Sequence, residues 1–280
     1  MSATVNTPAG TNGPPRFPLS IPYRVGGALL GMLDAAKELW RILGGTIRYS
    51  IWGKRPEGEV WNQMYQVGNK SLLFVCVTLG CLGMVLVFQV CLQINKVTGD
   101  LSMVGAEFIK GMVHAFAPTL TAMMLATRVG AGIAAEIGSM MVTEQVDALR
   151  MCGVEPIEYL IAPRFIAALF MTVVLTMIAL LVSVLAGALM AYSAFDVNPA
   201  IFLQFDKVTT GDLIIGGTKA LVFGATIPVV SGYCGLTTRG GSEGVGSATT
   251  RAVISSSLAV ILWDFVISGL GYYFLQSRGL

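Results

Sequence analysis

SLLFVCVTLGCLGMVLVFQVCLQIN, residues 71–95, holds no charged side chain over 25 positions. As an α-helix it would be about 37 Å long at 1.5 Å per residue, enough to cross a hydrocarbon core of about 30 Å. Four more stretches of the same kind follow. Residues 165–195 carry no charge. Residues 220–238 carry none either and hold Pro228, which membrane helices tolerate when neighbours satisfy the freed carbonyl. Residues 252–277 are broken only by Asp264, and residues 111–127 continue into the small-residue stretch 129–141. The composition agrees: 54% of residues are hydrophobic and 12% charged, against about 25% charged in soluble domains, too few to cover a water-facing surface. The chain therefore reads as an all-α integral membrane protein with spans near 71–95, 111–141, 165–195, 213–238 and 252–277, one domain over 21–280.

Five spans place the two ends on opposite sides, and the Lys and Arg asymmetry says which is which. The N-terminal arm, residues 128–164 and the segment 239–251 hold 13 of the 18 basic residues, so they are predicted to face the cytosol, with the N-terminus inside and Asp196, Asp206 and Asp212 in an outer loop. Residues 1–20 carry Pro8, Pro14, Pro15 and Pro18 without an apolar core of signal-peptide length, and read as a disordered cytosolic tail. Between tail and first span, Leu29, Leu33, Leu39 or Trp40, Leu43 and Ile47 recur at helical spacing among charges. This predicts an amphipathic helix over about 25–50, lying in the membrane interface with Trp40 as anchor, or else packed on a soluble partner.

Several classes are excluded. Five cysteines without a Cys-x-x-Cys pair and a single histidine, His114, argue against a metal site. No clustered basic footprint suggests nucleic acid. Gly68-Asn69-Lys70-Ser71 lacks the earlier glycine of a phosphate-binding loop, so no cofactor is expected on this chain.

Residues 128–156 are the most informative segment. Gly130, Gly132 and Gly138, with Ala131, Ala134 and Ala135, allow another helix to approach closely. Gly130-x-Gly132-x-x-Ala135 also matches a loose dinucleotide fingerprint, but it extends an apolar helix instead of following a strand. Arg128 and Glu136 would pair with each other or with a neighbour, since either alone is costly to bury. Next comes a short helix: Thr143 as N-cap, Glu144 in the first turn, Arg150 in the last, and Gly153 and Pro156 as stops. Val142, Val146 and Leu149 make its apolar stripe; Glu144, Gln145, Asp147 and Arg150 its polar face. It suits docking of a soluble protein, or it is an ordinary surface helix joining two spans.

Asp264 lies mid-span, and Lys219 opens the fourth uncharged run at a comparable depth. They are a candidate pair, lining a cavity for a polar headgroup or locking two helices. His114, near the outer end of its span, is a candidate headgroup contact or a plain interfacial residue.

Two blocks carry a resemblance. Pro118-x-Leu120-Thr121-Ala122, Arg128-Val129-Gly130-Ala131, Ala134 to Met140 and Val142 to Leu149 form the first, continued by Val154-Glu155-Pro156 and Ala162-Pro163-Arg164. Thr238-Arg239-Gly240-Gly241, Gly244-Val245-Gly246, Ala248 to Arg251, Ser257 to Val260 and Asp264-Phe265 form the second. Together they resemble the MlaE/YrbE permease family over roughly residues 25–275. The resemblance implies a five-span permease, preceded by an interfacial helix, in a bacterial inner membrane. It implies a homodimer bound to two copies of an ABC ATPase, which hold the ATP and Mg, and to an outer MCE-domain protein, moving phospholipids or related lipids between the inner membrane and the outer envelope. By the same resemblance Thr143, Glu144, Gln145, Asp147, Leu149 and Arg150 belong to the coupling helix gripped by the ATPase, and Lys219 and Asp264 are intramembrane charges near the lipid cavity. One departure stands out: where the family carries Arg-Glu, this chain has His114-Ala115, which implies a different lipid or a heterodimer with a second permease. A membrane enzyme of lipid metabolism is the alternative function, but it would need acid, base or metal-binding groups gathered at one membrane level. A channel would want a polar helix face, which no span shows.

Overall fold

Long apolar runs in a solvent without hydrogen-bonding partners must satisfy every backbone group within the helix, and that requirement sets the architecture. The computed structural model describes residues 37–50, 58–97, 101, 103–204 and 207–278, and among them no strand occurs. Five helical stretches are long and apolar enough to cross a membrane: Glu59–Lys96, Val104–Val142, Ile157–Phe195, Thr210–Leu236 and Gly241–Tyr273, here spans 1 to 5. Residues 37–50 form α1. Span 1 comprises α2 (Glu59–Val67) and α3 (Asn69–Val97). Span 2 is α4 (Val104–Gly111), α5 (Ala117–Leu125) and α6 (Ala131–Val142), joined by π-helical turns at Met112–Phe116 and Ala126–Gly130. The short helix α7 (Gln145–Met151) follows; span 3 is a π-turn at Ile157–Ile161 running into α8 (Ala162–Phe195). A single-turn helix, α9 (Pro199–Phe202), precedes span 4, α10 (Thr210–Leu236), and span 5, α11 (Gly241–Arg278).

The five spans predicted from uncharged runs are all present, each beginning earlier than predicted, spans 1 and 5 by the most. Span 1 starts at Glu59 because α2 is amphipathic: Gln63 and Val67 are buried while Trp61 and Tyr65 face outward, and the Gly68 N–H bonds the Met64 carbonyl to carry the chain into α3. Span 5 starts at Gly241, so the segment 239–251 is mostly helix. Gly240 and Gly241, at φ 94° and 69°, make the reversal between spans 4 and 5 in a conformation costly for other residues. Pro228 lies inside α10 without ending it. The predicted outer loop is also tied down. Phe202 of α9 is buried against Phe108, ring centroids 6.0 Å apart, and Asp212 sits in the first turn of α10 in a capping box with Thr209.

The chain divides into two units, Met1–Trp40 and Arg41–Leu280. Of the first, only residues 37–40 are described; they are helical, and Trp40 is 73% exposed. The predicted tail 1–20 and the first half of the predicted amphipathic helix lie outside the described residues. In the second unit, α1 buries Ile42 and Thr46, one turn apart, and leaves Ile47 outward, so the face it packs on the bundle differs from the stripe through Leu43 and Ile47 assigned to the membrane interface. One apolar cluster joins α3 to α8 through Val75, Leu79, Val87, Ala179, Val184 and Ala188. A second joins spans 2 to 5 through Ala122, Leu125, Leu175, Phe223, Ile227 and Val260. Outward, Leu73 and Phe74 of α3, Leu181 and Leu189 of α8 and Leu262 and Phe265 of α11 stand exposed, a surface suited to lipid.

Candidate functional site

The first half of span 2 turns His114 and Thr119 toward spans 4 and 5. In its first π-turn, His114 Nδ1 lies 3.1 Å from Asp212 Oδ1. The Asp212 side chain is 7% exposed, and its other oxygen accepts the Thr209 N–H at 3.1 Å, which fixes the carboxylate. A turn further along, Thr119 donates to Asp264 Oδ1 at 2.8 Å. That same oxygen lies 2.9 Å from Lys219 Nζ. Lys219 is fully buried, while 27% of the Asp264 side chain is exposed. The Lys219 contact is ionic and lacks hydrogen-bond alignment, so its N–H donors have no aligned acceptor among the described residues. Asp212 and Lys219 are seven residues, about 10 Å, apart on one face of α10. The result is a polar seam of His114–Asp212 and then Thr119–Asp264–Lys219, which ties spans 2, 4 and 5 together inside the apolar layer.

The predicted pairing of Lys219 with Asp264 is present. The seam does not bring His114 to that pair; His114 has its own acid, Asp212, predicted to lie in a loop. Thr119 was not singled out either. A threonine in a span carries no signal of its own, and the register of Asp212 becomes readable only once α10 is known to begin at Thr210. A small apolar cavity beside the seam, about 20 Å³, is lined by residues such as Val113, Thr176, Leu213 and Gly216 and by none of His114, Lys219 and Asp264.

Arg128 and Glu136 do not pair with each other. Arg128, in the second π-turn, donates to Ser71 Oγ at 2.7 Å, and Glu136 meets Arg164 at 2.7 Å. Gly130 and Gly138 do serve close packing: a Cβ at either would come within 2.9 Å of a hydroxyl, of Ser231 and Thr238 respectively. Gly132 does not. It is exposed and has nothing within 4 Å of the Cβ position.

The short helix between spans 2 and 3 is present as α7, with a different start. Thr143 closes α6, its hydroxyl donating to the Ser139 carbonyl at 2.9 Å. The N-cap is Glu144, at φ 59° in the left-handed region and with no side-chain capping bond, and Asp147 is the acid in the first turn. Arg150 is in the last turn as expected and pairs with Asp147 at 3.0 Å. Gly153, at φ 75°, ends the helix, with Val154 N–H bonding the Leu149 carbonyl. Val146, fully buried, anchors α7, and Leu149 is half-buried, while Glu144, Gln145, Asp147 and Arg150 are exposed. Met151, 84% exposed, adds an apolar group that the polar-face reading missed.

A family model described as "Permease MlaE" matches residues 60–270. A probable ABC transporter permease protein of Synechocystis is 37% identical over 231 residues, 82% of this chain and 88% of its own length. The chloroplastic protein TRIGALACTOSYLDIACYLGLYCEROL 1 of Arabidopsis thaliana is 31% identical over 252 residues, 87% of this chain and 71% of its own. A probable ABC transporter permease protein of Rickettsia conorii is 36% identical over 210 residues, 74% of this chain and 81% of its own.

Proposed function

The chain belongs to the MlaE permease family and is a permease subunit of an ABC transporter, and from that premise we propose that its cargo is a phospholipid or related lipid, moved between the inner membrane and the outer envelope by ATP hydrolysis on a partner chain. The observation that carries the reading is the pairing of two features on one bundle. A polar seam with a buried ammonium and a part-exposed carboxylate lies at membrane depth, and a self-contained helix with an exposed mixed face stands between spans 2 and 3. The seam offers charge to a headgroup, and α7 offers a soluble partner a handle. A lipid cargo is supported by the name of the Arabidopsis relative, which refers to a glycolipid.

In this reading an ABC ATPase, holding ATP and Mg, grips Glu144, Gln145, Asp147, Arg150 and Met151. Its closure shifts the bundle by favouring the conformation it contacts better. The Lys and Arg excess on the α7 side makes that side cytosolic, with the N-terminus, in a bacterial inner membrane. An MCE-domain protein docks at the opposite face, near α9. A second copy, or a second permease, packs against span 5, whose apolar stretch is only 11% buried against 33–61% for the others.

The test is co-purification from gently solubilised membranes, with mass spectrometry of proteins and lipids. An ABC ATPase, an MCE-domain protein and bound phospholipid are the expected company. Glu144→Lys with Asp147→Lys is expected to abolish ATPase recovery while the permease stays assembled; retention of the ATPase by that variant would remove α7 from the coupling role.

A further inference from the structure

A second polar feature stands apart from the seam. A cavity of about 310 Å³ is lined by Gln63, Lys70, Arg128, Val129, Glu136 and Arg164 among others. Three of these are cations, and each comes from a different span. Each also sits where an uncharged run meets charge: Lys70 immediately precedes residues 71–95, Arg164 precedes 165–195, and Arg128 follows 111–127. All three are therefore at the apolar–polar boundary on the α7 side, the depth of lipid headgroups.

Glu136 and Arg164 balance each other. Arg164, 5% exposed, splits its guanidinium between Glu136 at 2.7 Å and the Leu160 carbonyl at 2.9 Å. Lys70 and Arg128 have no counter-charge among the described residues. Arg128 is held by the neutral Ser71 hydroxyl, which spends one of its five N–H donors and fixes its direction. Lys70 makes no hydrogen bond or ion pair there. Beside these cations part of the cavity wall is apolar, through Val67, Val129 and Ile133, and Gln63 and Gln66 add neutral polar groups. A fixed guanidinium and a nearby ammonium facing one cavity suit a phosphate, which Arg binds through parallel N–H donors. An apolar wall beside them suits the glycerol and upper acyl carbons of a lipid, and basic pockets between spans at this depth are known to take anionic headgroups.

We propose that this cavity binds the phosphate of an anionic phospholipid of the surrounding leaflet, with Arg128 and Lys70 as its ligands. The site depends on the placement of the chain in a membrane, not on which lipid is transported or which ATPase drives it. It is tested on the purified full chain by titrating phosphatidylglycerol or phosphatidylcholine and counting bound lipid by native mass spectrometry. Phosphatidylglycerol is expected to bind about tenfold more tightly. Arg128→Gln and Lys70→Gln are each expected to remove about that factor, the contribution of one charge-assisted hydrogen bond. Lys96→Gln, which removes a charge at the far end of α3, is expected to leave it unchanged. Lys70 is exposed and unpartnered, so its loss reads binding and not folding. Equal affinity for the two lipids, or equal weakening by Lys96→Gln, overturns the proposal. Inorganic phosphate is the last arm: if millimolar phosphate displaces the lipid from wild type and not from Arg128→Gln, the ligand is a free anion and the lipid assignment falls.

Discussion

Asp264 Oδ1 takes two contacts at once, from Thr119 and from Lys219, and the two differ in what their loss would do. A buried pair robbed of one partner leaves an uncompensated charge. Asp264→Asn is therefore expected to destabilise the purified protein by about 3 kcal/mol, the low end for such pairs because Asp264 is part-exposed. Removing both charges, Lys219→Met with Asp264→Asn, should recover most of that loss. Thr119→Val should cost about 1 kcal/mol, a single hydrogen bond. Thermal unfolding of the four proteins in one detergent checks all of this; a double variant no more stable than Asp264→Asn would mean that the pair is not what holds span 4 to span 5. At this scale the sequence was legible where chemistry left few choices. Two isolated opposite charges in apolar runs at matched depth have little else to meet, so Lys219 and Asp264 could be paired by eye. Arg128 and Glu136 could not, because Ser71 and Arg164 were equally available and their choice depends on how three spans pack.

Whole elements were legible by hydropathy but not at their ends. An uncharged run marks the part of a helix that must be in hydrocarbon, whereas α2 is helical with polar and charged residues in its sequence, and the first three turns of α11 carry Glu243 and Arg251 exposed. The π-turns were not legible at all, since one extra residue in a turn leaves no mark on composition. Their effect is seen at Gly216, where a Cβ would run into the Val113 carbonyl at the entrance to the first π-turn. Gly216→Val is expected to cost about 2–3 kcal/mol, as overpacking does, and to separate span 4 from span 2. Loss of protection of the Val113–Phe116 amides in hydrogen exchange would show it. At α7, Glu144 sits in a backbone conformation that glycine adopts freely. Glu144→Gly is thus expected to raise stability by up to about 1 kcal/mol in the permease alone while weakening the ATPase, which separates backbone strain from side-chain recognition. An unchanged melting temperature would mean that the turn is relaxed as it stands.

Across the whole molecule, large apolar side chains among the described residues, such as Leu73, Leu181 and Phe265, stand exposed on the spans, a liability in water but suited to the places a bilayer would touch. Span 5 shows the most, and if a second copy covers it, cysteine at Phe265 should cross-link between copies in a chain without native cysteines, while cysteine at Leu181 on α8 should not. Equal yields at both would point to random collision. The two π-turns of span 2 carry a further consequence for how such a span changes length. A π-turn is how a helix absorbs a single inserted residue, and removing one restores the ordinary winding. Deleting Ala115 would therefore return that turn to α winding and leave the helix on either side with its facing, so Thr119 would keep Asp264 and Arg128 would keep Ser71. The same deletion at Ala122, in regular helix, would turn everything after it by about 100° and take Arg128 away from Ser71. Within this helix each π-turn is a reserve of one residue, so the place of a deletion decides whether the polar contacts beyond it survive.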